Sequence, residues 1–192
     1  MTSWDDLGRA LSRREPVLVG ADVPRAAVAL VLRDGGSDIE LLFIRRAEHE
    51  KDPGSGHMGF PGGRAEPVDE SLEATAVRET REETALDLAR SGARIGALDE
   101  VNALARGRPV DLAIAPFVFR LHERLDGSPS HEVVSLHWLP LERLLAPQTR
   151  STMRHEHQGT LLDLPCLRIE GLVIWGLTFR MFESLAGVLR GA

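Results

Sequence analysis

Gly59-Phe60-Pro61-Gly62-Gly63-Arg64-Ala65-Glu66-Pro67-Val68-Asp69-Glu70 runs straight into residues 71–86, SLEATAVRETREETAL, and the fold is read outward from this stretch. The second half predicts a helix over 69–84. Asp69 is placed to cap it, and Glu70 and Glu73 suit its first turns, where the helix dipole favours negative charge. Glu79, Glu82 and Glu83 stand at i, i+3 and i+4 and so share an arc roughly 100° wide. Carboxylates crowded in this way repel one another unless a cation sits between them. Mg2+ takes oxygen ligands and keeps positions for water and substrate phosphate, so the arc can hold one or more such ions over a pyrophosphate. Arg78, four residues before Glu82, can pair with it and hold its rotamer. A solvated, salt-bridged helix shows the same residue types at the same spacing. The glycines upstream tip the balance. Gly62 and Gly63, with Phe60-Pro61 fixing the approach, let backbone come close to an ion or a phosphate.

The segment resembles the Nudix box, GX5EX7REUXEEXGU with U a bulky apolar residue. The matches are Gly63 and the block Arg78-Glu79-Thr80-Arg81-Glu82-Glu83. The resemblance implies an α/β/α sandwich and divalent metal bound by Glu79, Glu82 and Glu83, with a carbonyl from Gly62 or Gly63 assisting. Mg2+ is the expected ion and Mn2+ an alternative. Three positions depart from the box. Counted from Gly63 the first acid is Asp69; counted back from Arg78 it is Glu70, so the loop carries one extra residue. Thr80 replaces a larger apolar residue. Ala85 stands where the box has glycine, so the helix is expected to run on past it. The extra residue and the FPGG upstream are similar to the coenzyme A pyrophosphatase branch of these hydrolases. Leu41-Leu42-Phe43-Ile44-Arg45 resembles that branch's LLTXR segment, and Ile174-Trp175-Gly176-Leu177-Thr178 its IWGXT segment. The branch's arginine in the loop before FPGG has no counterpart; Lys51 offers charge there but no bidentate fork.

Working outward, Arg25 to Arg33 is a nearly continuous apolar run, the pattern of a buried strand. A turn at Asp34–Asp38 leads to a second strand, Ile39–Ile44. Ala93–Val101, Leu112–Leu121, Glu132–Trp138 and Val173–Trp175 read as further strands. Pro116 would interrupt a ladder, which predicts an edge position or a bulge for Leu112–Leu121. Trp4–Arg14, Leu141–Leu145 and Thr178–Leu189 read as helices. The irregular alternation predicts a mixed sheet covered by helices on both faces. The expected organisation is an N-terminal helix and linker (1–24), a hydrolase domain (25–148) and a C-terminal extension packed on the same domain (149–192).

The resemblance and the chemistry together define the expected site. Glu82, Glu83 and Arg78 join Glu132 as the catalytic set, with Glu132 the candidate general base and Glu100 a weaker rival. Hydrolysis of a phosphoanhydride needs negative charge neutralised and a water placed in line. Arg45, Arg64, Gly62 and Gly63 are the candidate substrate contacts; Glu79, Glu82, Glu83 and Gly63 the metal set. His57 reads as a hydrogen-bonding loop residue. His155 and His157 alternate as a metal pair would, but with no third ligand at suitable spacing they read as a polar loop. Phe179 and Phe182 read as core, or as lining of a homodimer contact.

Composition narrows the classes. Hydrophobic residues at 43% exclude long disorder, and a net charge of −6 provides no global basic field for nucleic acid. No stretch is long and apolar enough to cross a membrane, which is not an expected partner. The single cysteine, Cys166, excludes an internal disulfide, fits a reducing cytoplasm and reads as a buried thiol. The expected activity is Mg-dependent hydrolysis of a pyrophosphate linkage in a nucleoside diphosphate derivative, coenzyme A or a related CoA species. The alternatives are an ADP-ribose, nucleotide-sugar or dNTP pyrophosphatase, and, in a different class, a non-catalytic nucleotide-binding sensor.

Overall fold

The computed structural model describes residues 3–19, 23–48, 56–105, 108–157 and 160–191. Its centre is β1 (Arg25–Asp34), buried along nearly its whole length as its apolar run requires. β1 pairs antiparallel with β2 (Ile39–Arg46) and with the short β4 (Gly62–Arg64), and parallel with β7 (Arg108–Leu121). β2 carries β3 (Met58–Gly59) and β8 (Val133–Pro140), while β7 carries β5 (Gly92–Ala97) and β6 (Val101–Ala105). The sheet is therefore mixed.

Side chains along β1 alternate between two layers. Ala27, Ala29 and Val31 face α2 (Leu72–Thr84), meeting it at Ala76. The two alanines leave room for that helix to lie close. Val28, Leu30 and Leu32 face the opposite layer. There α1 (Trp4–Ser12) contributes Leu7 and Leu11, and α5 (Gly176–Arg190) contributes Met181, Phe182 and Leu185. This is an α/β/α arrangement on a mixed sheet. Ser3 caps α1 in a full capping box with Asp6. α3 (Leu88–Ser91) and α4 (Leu141–Leu145) bury Leu88 and Leu141 against the two clusters.

Four expectations from the sequence are corrected. Residues 93–101 are not one strand; β5 ends at Ala97 and β6 begins at Val101. β7 is an interior strand, not an edge. Pro116 is tolerated because it lies in the gap between β5 and β6, where its carbonyl accepts from Leu98 N at 2.9 Å and no ladder needs its missing N–H. A second, three-stranded sheet was not anticipated: β9 (Arg150–His157), β10 (Thr160–Ile169) and β11 (Leu172–Trp175). The stretch RHEH is thus strand, not loop. Its residues are mostly polar because the outer half of this ribbon buries little; β10 is exposed from Thr160 to Asp163 and buried only from Cys166 on. Cys166 itself is buried.

The fourth correction concerns α2. It starts at Leu72 with Ser71 as its cap, not Asp69. It also stops at Thr84, because Ala85 adopts the left-handed conformation at φ 58°, ψ 12° that glycine would hold more easily. Ala85 N donates to Arg81 O at 3.0 Å, and Leu86 N reaches Thr84 Oγ1 at 3.3 Å. An alanine there carries a steric cost of roughly 1–2 kcal/mol, part of which glycine returns as unfolded-chain entropy. Ala85→Gly is accordingly expected to stabilise the protein by about 0.5–1 kcal/mol, read as a rise in Tm of a few degrees in a thermal melt.

Candidate active site

The glycine turn and α2 are built against each other. A Cβ on Gly62, whose φ is 153°, would sit 2.3 Å from Ala27 O. A Cβ on Gly63 would sit 2.3 Å from the Glu79 carboxylate. Any side chain at 62 would push β4 off β1, and any at 63 would displace Glu79. Ala29 N donates to Pro61 O at 2.8 Å and fixes the turn from the β1 side. From the turn, Gly62 N donates to Glu83 Oε2 at 2.9 Å.

Arg78 is the hub of the helix face. It grips Asp69 with two bonds, Nε to Oδ1 at 2.9 Å and Nη2 to Oδ2 at 3.0 Å. It also reaches Glu79 Oε1 at 3.0 Å, Glu82 Oε2 at 3.1 Å and the Arg64 carbonyl at 3.2 Å. Asp69 accepts further bonds from Thr75 Oγ1 and Glu66 N, both at 2.9 Å. Asp69, not the exposed Glu70, thus takes the first acidic position, as the anchor of Arg78. The hydrogen bonds with Arg78 hold the Asp69 carboxyl well below the usual carboxylate range, and those with Asp69 hold Arg78 above the usual guanidinium value.

Glu83 is buried, and burial pushes its carboxyl up to about 7 despite the Gly62 N–H. The negative charges of Glu79 and Glu132 push the same way, while Arg46 opposes them. Glu79 is raised for the same first reason, burial, with Glu82 and Glu132 adding to it. Among the described residues no three His, Cys, Asp or Glu side chains converge as a ready coordination shell. Glu79 and Glu82 turn to Arg78, and Glu83 to Gly62. The donor set nevertheless fits a hard divalent cation. It consists of carboxylate oxygens beside a glycine turn, two of them raised by desolvation and mutual repulsion that a cation would relieve.

Glu132 lies just before β8, and its charge is felt by both Glu79 and Glu83. Glu100 is committed elsewhere, paired with Arg25 and accepting from Val19 N at 2.8 Å. Arg64 gives its backbone carbonyl to Arg78, and its side chain is exposed. Arg45 extends from the face of β2 away from α2, beside His137, whose imidazole is pushed down first by burial and then by Arg45. A register shift between Arg45 and Arg46 accompanies this divergence, and Arg46 is the residue whose charge bears on Glu83. Sequence reasoning passed over Arg46; strand alternation counted from Leu42 on the α2 side would have found it. His57 and His155 flank the Trp175 ring, with centroids 4.9 and 4.8 Å away. Phe182 is core and Phe179 packs at its margin. Lys51 lies outside the described residues.

A mixed sheet with a carboxylate helix folded against a glycine turn is the architecture of Nudix-type proteins, and the NUDIX domain family matches residues 23–159. The chain belongs to the Nudix family. An uncharacterized protein of Schizosaccharomyces pombe is 39% identical over 127 residues, 63% of this chain; the match spans only 38% of that longer relative. The uncharacterized Nudix hydrolase NudL of Yersinia pestis is 28% identical over 151 residues, 76% of this chain and 70% of NudL. Among solved structures, a MutT/nudix family protein from Enterococcus faecalis is similar with TM-score 0.55 and 16% identity, over 97% of this chain and 68% of its own. The MutT protein from Methanosarcina mazei is similar with TM-score 0.51 and 23% identity, over 90% and 95% of the two chains. These likenesses concern the fold.

Proposed function

We propose that the protein is a Mg-dependent Nudix pyrophosphohydrolase that cleaves the phosphoanhydride of a nucleoside diphosphate derivative, with coenzyme A or a related CoA species as substrate. The observation that carries the reaction class is Glu83, a buried carboxylate held to the glycine turn and facing Glu79 and Glu132. Glu79, Glu82 and Glu83, with the Gly63 carbonyl, would hold the metal. When bound, Mg2+ neutralises phosphoryl charge and lowers the pKa of an attacking water.

The remaining work falls to the chain's own groups. Arg78, locked by Asp69, keeps Glu79 and Glu82 in place. Glu132, 64% exposed at its side chain and therefore open to water, takes the proton of the attacking water. Arg46 and Arg64 border the glycine turn and hold phosphate oxygens, while Arg45 serves a more distant substrate anion on the other face of β2. A non-catalytic sensor would bind a diphosphate with Mg2+ and turn over none. The CoA assignment is supported by the likeness of 41–45, 59–63 and 174–178 to the coenzyme A pyrophosphatase branch. The single buried thiol suits a cytoplasmic setting, and no helix among the described residues is long and apolar enough to cross a membrane.

The test is a substrate panel with Mg2+: coenzyme A, NADH, ADP-ribose and dNTPs. Adenosine 3′,5′-bisphosphate and 4′-phosphopantetheine are the products expected from coenzyme A. Turnover of another member alone would discard the CoA assignment, and no turnover of any would discard the hydrolase.

A further inference from the structure

We propose that the C-terminal segment Leu172–Arg190 is a working part of the site, with Thr178 and Trp175 positioning the loop that carries Gly62 and Gly63. The proposal rests on the hydrolase reading above, but its geometry is independent of the substrate. Thr178 lies in the first turn of α5, is 9% exposed, and donates from Oγ1 to the Met58 carbonyl at 3.0 Å across 120 residues of chain. Trp175, at the end of β11, stands edge-on to the His57 ring at 4.9 Å, with His155 of β9 against it at 4.8 Å. One hydrogen bond and one ring contact therefore grip residues 57 and 58 from the side opposite α2. These gripping residues lie beyond 159, where the NUDIX match ends.

What is gripped has little freedom left downstream. Arg46 N donates to His57 O at 3.1 Å. Phe60 is buried with its ring centroid 4.8 Å from that of Phe43. Pro61 O and Gly62 N are tied to Ala29 and Glu83. A shift at Met58 is therefore passed through Phe60-Pro61 to Gly62, the donor to Glu83. Glycines give the turn its close approach but no rigidity of their own. Restraint has to come from contacts outside the loop, and a misplacement of about 1 Å at a reacting centre can cost on the order of 100-fold in rate.

The experiment compares Thr178→Val, which keeps shape and removes the donor, with Thr178→Ser, which keeps the donor. Ile169→Val, in the buried end of β10, serves as a stability control. Amide hydrogen exchange over residues 58–63 is read alongside kcat and KM for whichever panel substrate turns over. Thr178→Val is expected to speed exchange there, and to lower kcat, by about tenfold each, with KM changed less than about twofold. Thr178→Ser should restore both, and Ile169→Val should lower Tm while changing neither. Native exchange at 58–63 in Thr178→Val, or native kcat despite faster exchange, would overturn the proposal. If the wild type turns over nothing in the panel, the hydrolase reading falls, and the exchange comparison alone still decides whether Thr178 holds the loop.

Discussion

Glu83→Gln is expected to lose turnover by at least about 10²-fold while making the metal-free protein more stable at pH 8. The two effects have one cause. Glu83 is buried beside Glu79 and Glu132, and its carboxyl is pushed from the ordinary 4.5 to about 7. The folded protein thus holds a proton there that the unfolded chain releases near 4.5. Its contribution to stability is largest at low pH, declines as pH rises from about 4.5 to about 7, and is flat above. Gln, which cannot ionise and can still accept from Gly62 N, removes that penalty. The gain is on the order of 1–3 kcal/mol above pH 7, allowing for partial solvent relaxation. Mg2+ should raise the Tm of the wild type and leave that of Glu83→Gln nearly unmoved. A Glu83→Gln protein that melts at or below the wild-type temperature at pH 8 without metal would contradict this account of the buried carboxylate.

Asp69→Asn is expected to lower both stability and rate. It removes the charge from a bidentate pair and leaves Arg78, whose side chain is 20% exposed, short of its main partner. Loss of charge-assisted bonds of this kind costs about 2 kcal/mol, or roughly 5 °C in Tm for a chain of this size. Arg78 would then swing further onto Glu79 and Glu82, and kcat should drop by about tenfold. Glu70→Gln, changing an exposed acid next door, should stay within about 0.5 kcal/mol of wild type. Because the hydrogen bonds with Arg78 hold the Asp69 carboxyl low against the opposing effect of its desolvation, its stabilising effect is present above pH 3.8 and is lost as pH falls toward its folded value. Equal effects from the two substitutions would mean that the first acidic position had been assigned to the wrong residue.

Local patterns in the chain carried much of this. The run 25–33 carried the pattern of a strand buried on both faces, and β1 is that strand. The spacing of Glu79, Glu82 and Glu83 put them on one helix face without reference to anything else. The glycines at 62 and 63 were legible as points of close approach, and the structure shows what approaches: the β1 backbone and the Glu79 carboxylate.

The misses share a physical origin. Ala85 ends α2 against its own preference because the turn onto Leu86, which is buried, is worth more than one residue's strain. β9 is mostly polar, and the outer half of β10 leaves Leu161 and Leu162 exposed, so ladder hydrogen bonds rather than a buried hydrophobic face hold the two strands there, and no strand period marks them in the sequence. Asp69 was taken for a cap from its position, yet its partner lies nine residues on. Arg45 was named as a phosphate contact for flanking the glycine loop, while alternation along β2 from Leu42 puts Arg46 on the α2 face, where its charge bears on Glu83.

Residue order alone therefore determined the mixed sandwich, the carboxylate arc and the glycine turn, because each depends on periodicity and steric rules that act within a few neighbours. The tertiary structure decided which acid anchors Arg78, how far Glu83 is desolvated and what holds Met58. Those outcomes depend on side chains brought together from strands and helices far apart in the chain, and burial and charge at such meeting points are properties of the packed whole.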